Sequence, residues 1–317
     1  MRASALRLPQ LQPPRRACPH CGGRDQQLWA ARQQARRLPV PYFMLTFTVP
    51  QQLHRLFRRH PQVGYKQLFA AASTAVKDLF ADPKHFAGQA GFTAVLHTWT
   101  RQMQFHPHLH LLVPAAALSE DGCTAIRASN PEFLLPHAPL TRLYRDHFLG
   151  QLKRQHPGLY AELDPKLGRI DWNVNLQHVG RGKKAIRYLA AYVSKSAISE
   201  ERLLGYDRQG RIRVRWTDSN SGWAKVMALA PVELIRPWLQ HVLPKGLTRL
   251  RHYGYLSAAA VKAYRRLRFL LGGTPQPVAL PQSEPISCPC CNQPMQLLRK
   301  LLPVRGPPLS LNLLQRL

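Results

Sequence analysis

The sequence predicts an α+β fold, a central antiparallel sheet with helices on its face. Two patterns carry that prediction. Short runs at 42–49, 91–99, 105–113 and 170–179 alternate their side chains with the period of a strand. Longer stretches at 51–60, 65–81, 139–156 and 183–196 place apolar residues at helical spacing. No internal repeat interrupts this order, and runs of strands mixed with helices in this way fit α+β packing.

The elements follow one another clearly. Residues 1–40 are basic and loop-like around Cys18-Pro19-His20-Cys21, with a helix near 25–37 and Pro39-Val40-Pro41 as punctuation. Strands 91–99 and 105–113 are separated by a short turn and are expected to pair as a hairpin. After the helix at 183–196 come two strands, 211–216 and 223–229, around the turn Ser219-Asn220-Ser221-Gly222. Pro231 opens a helix over 231–242, and a basic helix is expected over 258–270. Beyond Gly272 the chain is proline-rich and aperiodic apart from Cys288-Pro289-Cys290-Cys291.

The stretch His106-Pro107-His108-Leu109-His110 carries the most chemistry. On a strand, His106, His108 and His110 share one face, while Phe105, Leu109, Leu111 and Val113 share the other. Alternate residues lie about 6–7 Å apart, so two rings can converge on one cation. A lone strand histidine is usually structural. Three on one face would spoil a core unless they had a task. The spacing leaves the metal open: imidazole favours Zn, Cu, Fe or Ni, and Mg or Ca favours oxygen.

Charge narrows the partner. The chain has 317 residues, 45% of them hydrophobic, with 45 Lys and Arg against 16 Asp and Glu, a net charge of +29. Such a field attracts polyanions, nucleic acid first and anionic membrane a distant second. No run of about 18 apolar residues offers a membrane span, and residues 1–16 lack the apolar core of a secretory signal. Five of the six cysteines cluster near the two ends, with Cys123 alone, and they suit metal binding in a reducing cytoplasm better than disulfides. Cys18 and Cys21, like Cys288 and Cys291, have zinc-ligand spacing, and could form one site together or stand as separate remnants.

Tyr188 and Tyr192 stand four residues apart, on one helix face, amid Lys183, Lys184, Arg187 and Lys195. Core packing explains most such pairs, but here the cations could bind phosphate and favour phenolate. Further along, Arg211, Arg213 and Arg215 alternate on a strand ending at Trp216, and Lys245, Arg249 and Arg251 follow. Arginine with interleaved aromatics suits a backbone-tracking, base-stacking surface, with a solvated charged face as the plain alternative.

These blocks together resemble the rolling-circle, two-tyrosine insertion-sequence transposases of the HUH class. The likeness runs through Leu38-Pro39-Val40-Pro41-Tyr42-Phe43, Leu96-His97-Thr98-Trp99, His106–His110, Tyr188-Leu189-Ala190-Ala191-Tyr192, Gln240–Gly246 and Arg251-His252-Tyr253-Gly254. It implies an HUH endonuclease-like sheet over 39–257, a truncated zinc-binding segment at 1–38, and a basic helix with a proline-rich tail over 258–317. It also implies a nucleoid-associated enzyme of the cytoplasm whose substrate is single-stranded or hairpin DNA at the ends of a mobile element. His108 and His110 would hold Mg or Mn, and the cysteine pairs zinc. The third ligand would be His106, which shares the face, or Gln104, His97 or Gln177. Tyr188 and Tyr192 would attack DNA to give a 5′-phosphotyrosine. A replication initiator with the same chemistry, or a non-catalytic DNA-binding remnant, are the alternatives. The chain departs from the family at Ala115-Ala116-Ala117, where glycine is usual, and at Ala191, where relatives carry Arg or Pro.

Overall fold

The structure is a computed structural model that describes residues 23–100, 103–194, 198–218, 221–279 and 293. Its elements run α1 (Gly23–Ala35), β1 (Tyr42–Thr48), α2 (His54–Arg59), α3 (Pro61–Ala81), β2 (Gly88–Gln89), β3 (Gly91–Trp99), β4 (Phe105–Pro114), β5 (Ala116–Ser119) and β6 (Ala125–Arg127). They continue with α4 (His137–Gln155), α5 (Pro157–Ala161), β7 (Val174–His178), α6 (Lys183–Ser194), β8 (Leu203–Tyr206), β9 (Ile212–Thr217), β10 (Ala224–Leu229), α7 (Pro231–Leu239), β11 (Leu250–Gly254) and α8 (Val261–Leu270). These elements belong to one unit, Arg16–Leu280. The other, Met1–Arg15 with Pro281–Leu317, lies outside the described residues apart from Gln293.

The fold is α+β, as the sequence predicts. A five-stranded sheet in the order β11-β3-β4-β1-β7 is antiparallel at every junction. Period-two alternation sends Phe43, Leu45 and Phe47 of β1 and Leu109, Leu111 and Val113 of β4 into one core. There they meet Leu68, Phe69, Ala72, Val76 and Phe80 of α3 and Tyr144, Phe148 and Leu152 of α4. Each fully buried leucine or phenylalanine contributes on the order of 1.5–3 kcal/mol, so this face anchors the sheet.

The opposite face, which carries the histidines, is covered as well. Met44, Val95 and Leu112 pack with Ala185, Ile186 and Leu189 of α6 and with Tyr264 and Leu267 of α8. The expected basic helix is therefore α8, docked by its apolar side onto the sheet. Tyr264 Oη donates to the carbonyl of Arg36, just past α1, at 3.0 Å. No described helix is long and apolar enough to cross a membrane.

There are two small sheets besides: β2-β5-β6, which escapes the sequence pattern, and β10-β9-β8, whose β9 and β10 are the strands expected at 211–216 and 223–229 and whose β8 is not. The second forms its own cluster from Ile198, Val214 and Leu234 with Met103. Strand β11 was also hidden. Its residues read as basic surface, yet Arg251 lies with its guanidinium 3.9 Å from the Phe69 ring centroid. The arginine disguises a strand whose backbone pairs with β3 from Leu250↔Val95 to Gly254↔Gly91.

The turn into α6 depends on glycine. Gly182 has φ +75°, and a Cβ there would sit 2.9 Å from the Tyr42 ring. Tyr42 in turn accepts the Leu38 N–H at 2.9 Å and exchanges backbone bonds with Val179 and Gly180. Gly182→Ala is expected to cost about 1–2 kcal/mol in urea unfolding. Gly180→Ala, where φ is +56° and the space is open, should cost visibly less. Equal costs would show that the Tyr42 contact does not constrain the turn.

Candidate metal centre and tyrosine helix

The register of the β3–β4 hairpin builds the centre. His97 pairs with His108, and Val95 with His110. Residues directly opposite in an antiparallel pair share a face, so His97 joins the β4 histidines. The register then shifts: His97 faces His108, but Trp99 faces Phe105. Two residues, His106 and Pro107, thus stand opposite the single Thr98, which is a β-bulge. A bulge is where a central strand tolerates a proline, which has no N–H to give the ladder.

That bulge decides which histidines lie together. The ligand atoms of His97, His108 and His110 all lie within 4.8 Å of one another, and His106 is not in the group. The even-numbered ladder breaks at Pro107. His106 keeps a ring contact to His108, 5.1 Å between centroids, and faces His54 at 6.4 Å. Of the residues offered as a third ligand, His97 is the one that lies in the group. The signal was present in the sequence, since a hairpin closing near residue 102 sets 97 opposite 108.

The imidazoles are prepared for a cation. His108 Nδ1–H donates to the carbonyl of His106 at 2.7 Å, which leaves Nε2 as the lone-pair nitrogen, 3.2 Å from His97 Nδ1. Thr46 Oγ1 lies 3.0 Å from His110 Nδ1. His97 Nε2 and His110 Nε2 are buried without a hydrogen-bond partner. Burial, with neighbouring His108, holds His110 down to about 3, and burial holds His108 to about 4. His97 is pushed well below its ordinary value by burial, then by His110, His108 and Arg249. All three rings are therefore neutral at pH 7, and orphaned nitrogens on neutral rings suit a divalent metal.

Helix α6 lies over this cluster. Ala185, Ile186, Leu189 and Ala190 are buried beneath it, a stripe that fixes its rotation. The same rotation brings Tyr192 over His97, ring centroids 3.6 Å apart, and Tyr188 over His110 at 5.7 Å. The two tyrosine rings are 4.9 Å apart. Tyr188 is 46% exposed, so the centre opens to solvent beside it. Gln34 Nε2 of α1 donates to the Lys183 carbonyl, and Arg37 donates to Arg181 O, so the start of α6 is also tied down.

The basic residues sort into different places. Lys183, Lys184 and Arg187 are exposed on α6 beside Tyr188. Arg211, Arg213 and Arg215 are exposed on or beside β9, with Arg211 paired to Asp207 at 2.8 Å, and Lys245 is exposed after α7. Two expected DNA contacts are not on the surface in this way. Arg249 is buried, its guanidinium 5.2 Å from the Trp99 ring and donating to the Tyr192 carbonyl at 3.0 Å. It grips the end of the tyrosine helix, where a cation complements the helix dipole. Arg251 stacks on Phe69, on the sheet face away from the histidines. Lys195 and the pairs Cys18, Cys21 and Cys288, Cys291 lie outside the described residues.

Sequence comparison adds a family. Residues 91–263 match a family described as "Putative transposase", and residues 11–49 match one described as "Transposase zinc-binding domain". A protein named "Putative transposase y4qJ" from Sinorhizobium fredii is 34% identical over 259 residues, covering 76% of this chain and 65% of that protein. The "Transposase for insertion sequence element IS801" of Pseudomonas savastanoi pv. phaseolicola is 27% identical over 304 residues, 88% of this chain and 73% of the relative. The chain thus spans a little under two thirds of the first relative's length. No solved structure matches.

Titration calorimetry with Mn checks the ligand set. His97→Ala, His108→Ala and His110→Ala should each abolish measurable binding. Thr46→Val, which removes only an outer partner, should weaken binding about tenfold. His106→Ala should leave affinity within about twofold of the parent. Loss of binding on changing His106, with retention on changing His97, would reverse the assignment.

Proposed function

The chain belongs to the transposase family matched over residues 91–263, and from that premise we propose that it is a metal-assisted strand transferase acting on single-stranded DNA by tyrosine attack. The observation that carries this reading is the placement of two tyrosine rings over a three-histidine cluster. His97, His108 and His110 would hold the divalent cation, Mg or Mn. When bound, that cation would draw charge from the scissile phosphate and orient it.

The chain's own groups do the rest. Lys184 and Arg187, exposed on the turn of α6 that bears Tyr188, bind the DNA backbone by charge. The phenolic oxygen of a tyrosine loses its proton to water and attacks phosphorus. The new P–O bond joins tyrosine to the phosphate at the 5′ end of the downstream fragment. The P–O3′ bond opens, and the 3′ oxygen leaves as a hydroxyl after taking a proton from water. The phosphodiester energy is kept in the phosphotyrosine, so rejoining to a new 3′-hydroxyl needs no nucleotide hydrolysis. With Tyr188 near His110 and Tyr192 near His97, a second strand can be engaged while the first is still attached. The exposed arginines of β9 and Lys245 extend the backbone-binding surface.

The test is adduct formation. Single-stranded oligonucleotides copying both ends of the encoding element, incubated with the protein and Mn or Mg, should give a denaturant-resistant protein–DNA complex. The double change Tyr188→Phe and Tyr192→Phe should lower its yield by at least about a thousandfold while leaving salt-sensitive DNA binding in place. An undiminished adduct in that variant would remove these tyrosines from the mechanism.

A further inference from the structure

Strand β7 carries a pattern that the strand-transfer reading does not use. Its register places Asn175 opposite Thr46 of β1, and Thr46 opposite His110 of β4. Partners across antiparallel strands share a face, so Asn175, Thr46 and His110 form one row across the sheet. Strands lie about 4.8 Å apart, which puts Asn175 roughly 10 Å from His110 along that row. Gln177, opposite Met44, and Asn173, two residues before Asn175, lie on the same face. All three amides are exposed. No described side chain hydrogen-bonds any of them.

A solvated edge strand would also be polar, but its residue types would differ. In a chain of net charge +29, the ordinary exposed residue is Lys or Arg. Between Asn173 and Gln177 there is none. Amides cannot neutralise phosphate, yet each offers a donor pair and an acceptor, the set that Asn and Gln use on base edges. Bases of an unpaired strand present those edges freely. Cations sit next door instead, on α6, at Lys183, Lys184 and Arg187. That is the division expected where phosphate contacts position a strand and neutral polar groups read it.

A second observation concerns the free edge of β7. A groove of about 520 Å³ wraps that edge: Asn173 and Asn175 border it, Phe43, Val174, Leu176 and His178 line it from the sheet's other face, and Phe133 flanks it. Phe133 is 50% exposed and offers a stacking face. Glu132 also lines the groove, its carboxylate paired with His178 at 2.8 Å. A carboxylate disfavours phosphate, and the groove suits a neutral base.

We infer that Asn173, Asn175 and Gln177 form a base-reading platform that sets sequence preference for the unpaired nucleotides beside the scissile phosphate. The inference rests on the strand-transfer reading for where the phosphate lies. Its experiment uses the full chain and a random-sequence single-stranded DNA pool, selected by binding, with adduct formation scored separately. The parent protein should enrich a short motif. The double change Asn175→Ala and Gln177→Ala should reduce preference for that motif about tenfold or more, with the salt dependence of binding unchanged. Lys184→Ala with Arg187→Ala should instead weaken binding to all sequences alike and flatten the salt dependence. A parent that enriches no motif, or an amide variant that keeps it, overturns the inference even if adducts form. A motif lost in the amide variant supports the platform even if no adduct is seen, and that outcome counts against the strand-transfer reading alone.

Discussion

The antiparallel register between β3 and β4 is the constraint on which the rest of the centre hangs. A slip of one residue would turn His108 and His110 into the α3–α4 core and leave Leu109 and Leu111 beneath the tyrosines. The slip is opposed from both sides. Leu96, Leu109 and Leu111 are fully buried on one face, and Val95 and Leu112 are buried on the other. The bulge at His106-Pro107 then confines the irregularity to the hairpin end, where Val49 N–H still finds the Pro107 carbonyl at 3.1 Å. A site that needs three rings within one small volume is thereby built on the most over-determined part of the sheet.

Helix α6 inherits its position from that sheet. Its buried stripe rests on Val95 and Leu112, neighbours of the histidines in the same strands. Its first turn is held by Gln34 and its last by Arg249. Holding both ends matters because the close edge-to-face contact of Tyr192 and His97 leaves little tolerance for rotation: a residue step turns a helix by about 100°. The buried histidines are costly to leave unpaired, and the neutral state is the one that avoids burying charge.

The fold was legible wherever one period dominated. Strands β1, β3 and β4 and helices α3, α4 and α6 could be read from alternation and helical spacing, because each buries one continuous face. The two misread arginines share a cause. At and just before β11, Arg251 and Arg249 look like surface residues, but a backbone carbonyl and two aromatic rings absorb their guanidinium groups. Charge in a sequence says nothing of what lies over it. His97 was obscured for another reason. The regular ladder His106, His108, His110 offers a third ligand locally, and only the bulge, a property of the paired strand, redirects it. The tyrosine helix was legible as a pair at one-turn spacing. Its seat over the histidines is tertiary and lies beyond any local pattern.

The grip of Arg249 on the Tyr192 carbonyl has a consequence for synthesis on the ribosome. Every histidine of the cluster and both tyrosines emerge before residue 193, but the arginine and strand β11 come more than fifty residues later. A nascent or prematurely released chain can therefore own all three histidines and both tyrosines without the clasp that holds the tyrosine helix in place. Translation to the far edge of the sheet is what completes the seat of the tyrosine helix, and that helix itself registers that the polypeptide has been finished that far.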